Sequence, residues 1–335
     1  CAYLDCLDNC GGDAYIDSCG YCDSDPKNDC ASDCGAIIEQ LSIGEEEFQC
    51  DNIITEGEVY NCNDLSIILS IMNSNPHSLY TDMDVDNNNV ITVYEYGFQQ
   101  WLNGRLTSLN LNYNENVVMP TFCNFRLTTL PENIGDLSAL TKLSLFNNEL
   151  TSLPESITNL VSLEQLLLES NQLTSLPDDF GNLINLKDLN LNSNQIEQLP
   201  ETIGSLISLE KLWANNKQLV YLPESIGNLI QLEWLYLNNN LLQSIPENIA
   251  YLESLIIFNI DNNNLFALPE SLCSETDGIS FYDGMQSFSI TNNYICSDTD
   301  TTIIAEYAYP LCLEAILENG GSQICEGCPP HYFFI

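Results

Sequence analysis

The stretch "LPESIGNLIQLEWLYLNNNLL", residues 222–242, carries leucine or isoleucine at 222, 226, 229, 232, 235, 237 and 242 with mostly polar residues between them. Its proline is one of seven, at 131, 154, 177, 200, 223, 246 and 269, each 23 residues from the next. A fixed period of this length is the mark of a solenoid, in which every unit stacks on its neighbours. A single coil cannot shield its own leucines from water, whereas a stack of coils shares one continuous core.

The spacing L-x-x-L-x-L-x-x-N-x-L resembles the leucine-rich repeat family in its short "LPxxI" class, over residues 105–296. The resemblance implies an α/β leucine-rich repeat solenoid, with short parallel strands on a concave face and short helical or irregular convex segments. Proline is expected in the first turn of the convex segment, where a missing N–H is tolerated, and glycine at its end. Asn148, Asn171, Asn194, Asn240, Asn263 and Asn293 recur at one position, where the family pattern implies a ladder of side-chain amides bonded to the backbone of adjacent coils. Before Pro131, a degenerate coil keeps register through Val117, Pro120, Phe122 and Leu127, and "LTSLNLNYN" looks like an opening cap. After Pro269, a seven-residue insertion precedes a last strand marked by Phe288, Ile290, Asn293 and Ile295. Cys273, Cys296, Cys312 and Cys325 resemble the cysteine cap of secreted solenoids, with pairing undetermined and Cys328 left over; residues 297–335 form that cap and an apolar tail.

Residues between the leucines of each strand face outward, and most are small or polar. The apolar exceptions are Phe146, Leu167, Trp213, Trp234, Tyr236 and Ile257. Strands about 4.8 Å apart place Trp213, Trp234 and Tyr236 side by side, and each aromatic can bury roughly 150–250 Å². Aromatic residues also simply suit strand surfaces. Against that bland reading, the same coil breaks its own pattern: Ala214 replaces a core leucine and Lys217 an asparagine of the ladder. Rule-breaking beside an exposed patch points to a contact surface.

Forty-eight acidic against seven basic residues give a net charge of −41. That field repels phosphate backbones and anionic lipid, so nucleic acid is not expected as a partner and membrane surfaces are poor ones. No apolar run is long enough for a transmembrane helix. Of 15 cysteines, nine lie in residues 1–62 and none between 124 and 272. Disulfides are therefore expected in the flanks, at Cys6, Cys10, Cys19, Cys22, Cys30, Cys34, Cys50 and Cys62 as well as in the C-terminal cap, which implies an oxidising, extracellular or cell-surface location. A start at Cys1 rather than Met fits a removed signal peptide, and the absence of an N-x-Ser/Thr sequon leans toward a bacterial source.

Residues 1–49 form a Cys/Asp-rich segment in which cysteine alternates with aspartate over residues 1–34. The segment is similar to thrombospondin type 3 repeats, which implies calcium held by Asp23, Asp25 and Asp29. Residues 50–104 contain "DVDNNNVITVYE", residues 84–95. Oxygen donors at alternate positions there, Asp84, Asp86, Asn88, the Val90 carbonyl, Thr92 and Glu95, match the calcium loop of an EF-hand, with Asn89 in place of the usual glycine. Helices are expected over 65–72 and 94–102, framing the loop. A degenerate partner loop, "IITEGEVYNCND" at 53–64, ends on Asp64, and the pair is similar to a dockerin module, with a Cys50–Cys62 disulfide hypothesised across the loop that lacks its metal ligands.

No nucleophile, histidine and acid occur in an enzymatic pattern, so the chain reads as a non-catalytic structural or interaction protein. Protein is the expected partner, either another surface protein or further copies in a homo-polymer, because the odd cysteine count and the tail "CPPHYFFI" favour self-association. The alternative is a module that binds a glycan or a cohesin-type partner.

Overall fold

The structure is a computed structural model that describes residues 15–16, 22–23, 53–55, 58–75, 98–113, 126–215, 218–266, 268–273 and 287–293. The chain divides into two compact units, residues 1–150 and 151–335.

In the first unit, β1 (Tyr15–Ile16) pairs antiparallel with β2 (Cys22–Asp23), and β3 (Ile53–Thr55) with β4 (Glu58–Tyr60). Helix α1 (Cys62–Ser74) starts at Asn61, whose side chain accepts the Asp64 N–H at 3.1 Å, as an N-cap should. Its apolar residues Leu65, Ile68, Ile71 and Met72 fall on one face at helical spacing and are fully buried. At the other end the buried Asn75 donates to the carbonyls of Ile71 and Thr129 and accepts the Thr128 N–H, which ties the helix to the segment entering the first regular coil.

The helix expected at 94–102 is replaced over its described part by strand β5 (Phe98–Leu102), antiparallel to β6 (Arg105–Asn110). Asn103 and Gly104 join them with φ of 51° and 79°. Asn-Gly accepts positive φ at both turn positions, as a two-residue hairpin whose twist suits the strands requires. Strand β6 then runs parallel to β7 (Lys142–Ser144), so the sheet changes from antiparallel to parallel where the repeats begin.

The degenerate partner loop is described over most of its length. Its first residues form the hairpin β3–β4, and Asp64, fully buried, accepts from Arg105 Nε at 2.9 Å, Arg105 Nη2 at 3.0 Å and the Leu106 N–H at 2.8 Å. Both carboxylate oxygens are taken by this charge-assisted pair. The hydrogen bond to Asp64 raises the Arg105 pKa above its ordinary value, and burial opposes it. A raised folded-state pKa gives stability that is present below the unfolded value and lost only as pH rises through the folded one, so this contribution is constant through neutral pH. Asp64→Asn removes the charge and leaves the fork of Arg105 half-satisfied, and is expected to cost about 2–3 kcal/mol in urea unfolding. A cost under about 0.5 kcal/mol would mean that water replaces the carboxylate.

The second unit is a stack of parallel strands: β8 (Gln165–Leu167), β9 (Asp188–Asn190), β10 (Lys211–Trp213), β11 (Trp234–Tyr236), β12 (Ile257–Asn259) and β13 (Ser287–Ser289). Register advances by one repeat per strand, Asp188 opposite Lys211 and Lys211 opposite Trp234. The last step, Ile257 opposite Ser287, absorbs the expected seven-residue insertion. The central leucine of each strand points inward and is fully buried (Leu166, Leu189, Leu212, Leu235), with Phe258 in the same column.

The other side of each coil is a one-turn 3-10 segment, such as Glu201–Ser205 or Glu224–Asn228. The repeat proline precedes this turn rather than opening it: Pro200 is extended at φ −67°, ψ 150°, and its carbonyl accepts the Ile203 N–H. Proline's fixed φ thus sets the entry angle. The asparagine ladder forms as the family pattern implies. Asn240 Oδ1 accepts the Leu219 N–H at 3.2 Å, while Nδ2 donates to the carbonyls of Ala214 at 2.8 Å and Leu237 at 2.9 Å; Asn148, Asn194, Asn263 and Asn293 repeat the pattern. The residue before each ladder asparagine takes the left-handed conformation (Asn147, Ser170, Ser193, Asn239, Asn262, Asn292), which Asn tolerates better than most residues.

Asp25, Asp29, Lys217 and the loop Asp84–Glu95 lie outside the described residues, as do the side chains of Asp23 and of every cysteine assigned to a disulfide.

Candidate functional site

Strands β8–β13 have an outer face made by the two residues that flank each buried leucine. Polar residues cover most of it, with the aliphatic Leu167 and Ile257, and the aromatic side chains gather on β10 and β11. Trp213 and Tyr236, opposite each other in register, stack with ring centroids 4.4 Å apart and planes 1° from parallel. Trp234 meets Trp213 edge-on at 5.8 Å. Lys211 reaches over the Trp234 ring, its Nζ 4.3 Å from the centroid. All four side chains are half-buried, so the cluster is ordered by its own packing while part of it faces solvent. Such ring pairs add about 0.5–1.5 kcal/mol beyond the area they bury.

Of the six apolar residues expected on this face, Trp213, Trp234 and Tyr236 are therefore brought together. Ile257 sits beside Trp234 in register. Leu167 is one strand further out, separated from Trp213 by Asn190. Phe146, 36% exposed, belongs to the first unit. Ala214 is fully buried, and its carbonyl takes part in the ladder, so the break in the leucine pattern directly underlies the cluster.

Polar groups around the rings are unevenly satisfied. Asp261 is saturated by Ser289 Oγ, Thr291 Oγ1 and the Thr291 N–H. Asp188 Oδ2 accepts from Gln165 Nε2 at 2.9 Å, and Glu169 Oε2 from Asn190 Nδ2 at 2.8 Å. By contrast Oδ1 of Asp188, of Asn215 and of Asn238 is buried and accepts nothing from the protein. Buried acceptors of this kind are rare unless something donates to them. No pattern in the sequence marked them, because the same residue types are fully bonded in neighbouring coils.

Two further features escaped the sequence reading. Side chains two residues after the repeat proline bond the preceding coil: Thr202 to the Asp178 carbonyl, Ser225 to Glu201 at 2.6 Å and Ser271 to Glu247 at 2.6 Å. The recurrence of a small polar residue there was the available signal. Val161, Ile184, Ile207 and Ile230, 23 residues apart, are exposed by 47–58% and form a second apolar stripe in the turn before the strands.

Comparison with known proteins agrees with this geometry. Residues 178–274 match the family model described as a leucine-rich repeat region, and residues 139–160 and 162–183 match that of the leucine-rich repeat itself. Residues 139–160 and 162–274 therefore carry leucine-rich repeats. A leucine-rich repeat protein of Leptospira interrogans is similar at 33% identity and a TM-score of 0.49, over 57% of this chain and 44% of that one. The leucine-rich repeat ectodomain of the plant membrane receptor kinase GASSHO1/SCHENGEN3 from Arabidopsis thaliana, solved in complex with CASPARIAN STRIP INTEGRITY FACTOR 2, is similar at 25% identity and a TM-score of 0.52, over 70% of this chain and 26% of that one. A plant ice-binding protein shares the fold at 22% identity and a TM-score of 0.51, over 70% of this chain and 73% of that one. The chain spans less than half the length of the first two. No curated protein matches it.

Proposed function

We propose that this is an extracellular, non-catalytic protein-interaction protein whose contact surface is the aromatic cluster on β10 and β11. The observation that carries the reading is the Trp213–Tyr236–Trp234 packing, where the outer face of the described strands β8–β13 turns aromatic. Tryptophan and tyrosine held rigid by one another, with unsatisfied polar groups around them, have the composition of an interface hot spot. Leucine-rich repeat domains generally mediate protein–protein contacts, and the similarity to a plant receptor ectodomain solved with a bound factor supports the same reading. The cysteine-rich flanks support the extracellular location, and the odd count of 15 cysteines supports linkage between copies.

The test pairs stability with binding. Trp213→Ala with Tyr236→Ala is expected to unfold within about 2 kcal/mol of wild type, because these rings lie outside the leucine core. The same variant is expected to lose capture on an array of extracellular proteins. Retention of protein capture, or binding confined to a glycan array, would reverse the assignment.

Calcium at Asp84, Asp86, Asn88, Val90, Thr92 and Glu95 belongs to the same proposal, on the chemistry of the donor set: hard oxygen ligands at alternate positions closed by a glutamate. Strand β5 begins at Phe98, so no long helix follows the donor set. Calcium titration by calorimetry should give a Kd of about 10⁻⁴ M, weakened about tenfold or more by Glu95→Gln. Unchanged heats in the variant would remove the loop from the account.

A further inference from the structure

Resting on that reading of the aromatic face, the structure also defines the chemistry of what binds there. The stack between Trp213 and Tyr236 uses the Trp213 face turned toward β11. The opposite face turns toward β9, where the residue in register is the short Asn190. Beyond Asn190, again in register, stands Leu167. Trp213 and Leu167 are thus two strand spacings apart, about 9.6 Å, with a low floor between them. A flat group fits between those walls.

Carboxylates flank this slot. Asp188 precedes Asn190 on the same outer face, and its Oδ1 is buried and accepts nothing from the protein. Glu169 lies at the other end, bonded to Asn190 through Oε2. Lys211, in register with Asp188, reaches instead over Trp234 on the far side of the stack. A planar cation meets both demands: stacking on the tryptophan face turned toward β9 and charge balance for Asp188 and Glu169. Guanidinium has that shape, whereas an ammonium is a compact point charge without a stacking plane. We propose that Trp213, Leu167, Asp188 and Glu169 form a slot for an arginine side chain on a basic partner peptide.

The partner is a different molecule. The chain carries two arginines. Arg105 is held by Asp64, and Arg126 lies 4.7 Å from the centroid of the Tyr113 ring. A second copy therefore has no free arginine to offer, while a net charge of −41 draws basic partners at long range.

The test uses the full chain and three acetylated heptapeptides, Gly-Arg-Gly-Phe-Gly-Arg-Gly and its counterparts with lysine or citrulline for arginine, followed by tryptophan fluorescence and calorimetry. The arginine peptide is expected to bind about tenfold tighter than the lysine peptide, and the citrulline peptide weakest. Asp188→Asn should weaken the arginine peptide about tenfold and narrow the gap to lysine, while Glu253→Gln, the same charge change at an exposed position away from the face, should leave both unchanged. Thermal unfolding of both variants confirms the fold, and Asp188→Asn decides alone if a Trp213 variant fails to fold. Equal affinity for arginine and lysine peptides, equal effects of the two charge variants, or no binding of the arginine peptide would each overturn the slot. In those cases, loss of protein capture in the Trp213/Tyr236 variant would still support the broader interface. Binding to a glycan array instead, abolished by Trp213→Leu, would overturn both.

Discussion

Asn240→Ala is expected to lower stability by about 3 kcal/mol and to loosen the aromatic cluster. The amide bridges three buried backbone groups, accepting from Leu219 N–H and donating to the carbonyls of Ala214 and Leu237. Alanine leaves the Leu219 N–H and the Ala214 carbonyl without that partner, while the Leu237 carbonyl keeps its bond from Asn263 Nδ2 at 3.0 Å; each unsatisfied buried group costs about 1–3 kcal/mol before water or a shift in the coil recovers part of it. The position matters more than its equivalents because one of the three groups is the carbonyl of Ala214, which follows Trp213 directly. The ladder residue one coil earlier is Lys217 rather than asparagine, so Asn240 has less support than Asn263. Urea unfolding measures the loss, and near-UV circular dichroism, sensitive to the Trp213–Tyr236 stack, reports the loosening. Since stability in a solenoid is a sum over coils and their interfaces, the transition should also broaden as the two sides uncouple. A sharp transition with a loss under about 1 kcal/mol would show that the bridging amide is dispensable.

Gly204→Ala should cost a comparable amount for a different reason. A Cβ on Gly204 would lie 2.3 Å from the Ser225 carbonyl oxygen and 2.6 Å from Ser225 Cβ. Both atoms belong to the next coil, so no rotamer change relieves the contact and the coils must separate. Overpacking of this kind costs about 1–3 kcal/mol, and a backbone obstacle puts Gly204 at the upper end. Gly181 and Gly227 stand in the same relation to Thr202 and Asn248. Thr158 occupies the equivalent position one coil before Gly181, where the following turn spans only Phe180–Asn182 rather than starting directly after its proline. Thr158→Ala is the control: it loses one hydrogen bond, to the Glu155 carbonyl, and should cost less than about 1.5 kcal/mol. Thermal denaturation of the pair separates them, and equal losses would mean that the glycine column reflects turn preference rather than close approach.

The period of 23 residues made the solenoid, its leucine core and the asparagine ladder legible in the sequence, because each rests on one residue type repeated at one spacing. The aromatic cluster was legible for the same reason: a strand of known register exposes alternate residues, so Trp213, Trp234 and Tyr236 had to be neighbours. What was misread lies where the period stops. Over 98–110 the Asn103-Gly104 pair is the stronger local signal, because two consecutive positive-φ residues fix a hairpin where the flanking pattern alone also suits a helix. Asp64 matched a metal position by count, yet its partner Arg105 is 41 residues away and no spacing rule connects them. The arginine slot was invisible because it depends on which carboxylates the neighbouring coils already satisfy: Asp188 and Asp261 look alike in sequence, but the second is saturated by Ser289 and Thr291.

The central claim, that partners meet this chain on the aromatic sheet face, is most directly tested by photo-crosslinking from single sites. A photoreactive residue placed at Asn259, beside Tyr236 in register, should give discrete crosslinks to another protein, while one at Ile207, on the exposed aliphatic stripe, should give few. Strong discrete products from position 207 with none from 259 would contradict the account and move the contact surface to the turn side of the solenoid.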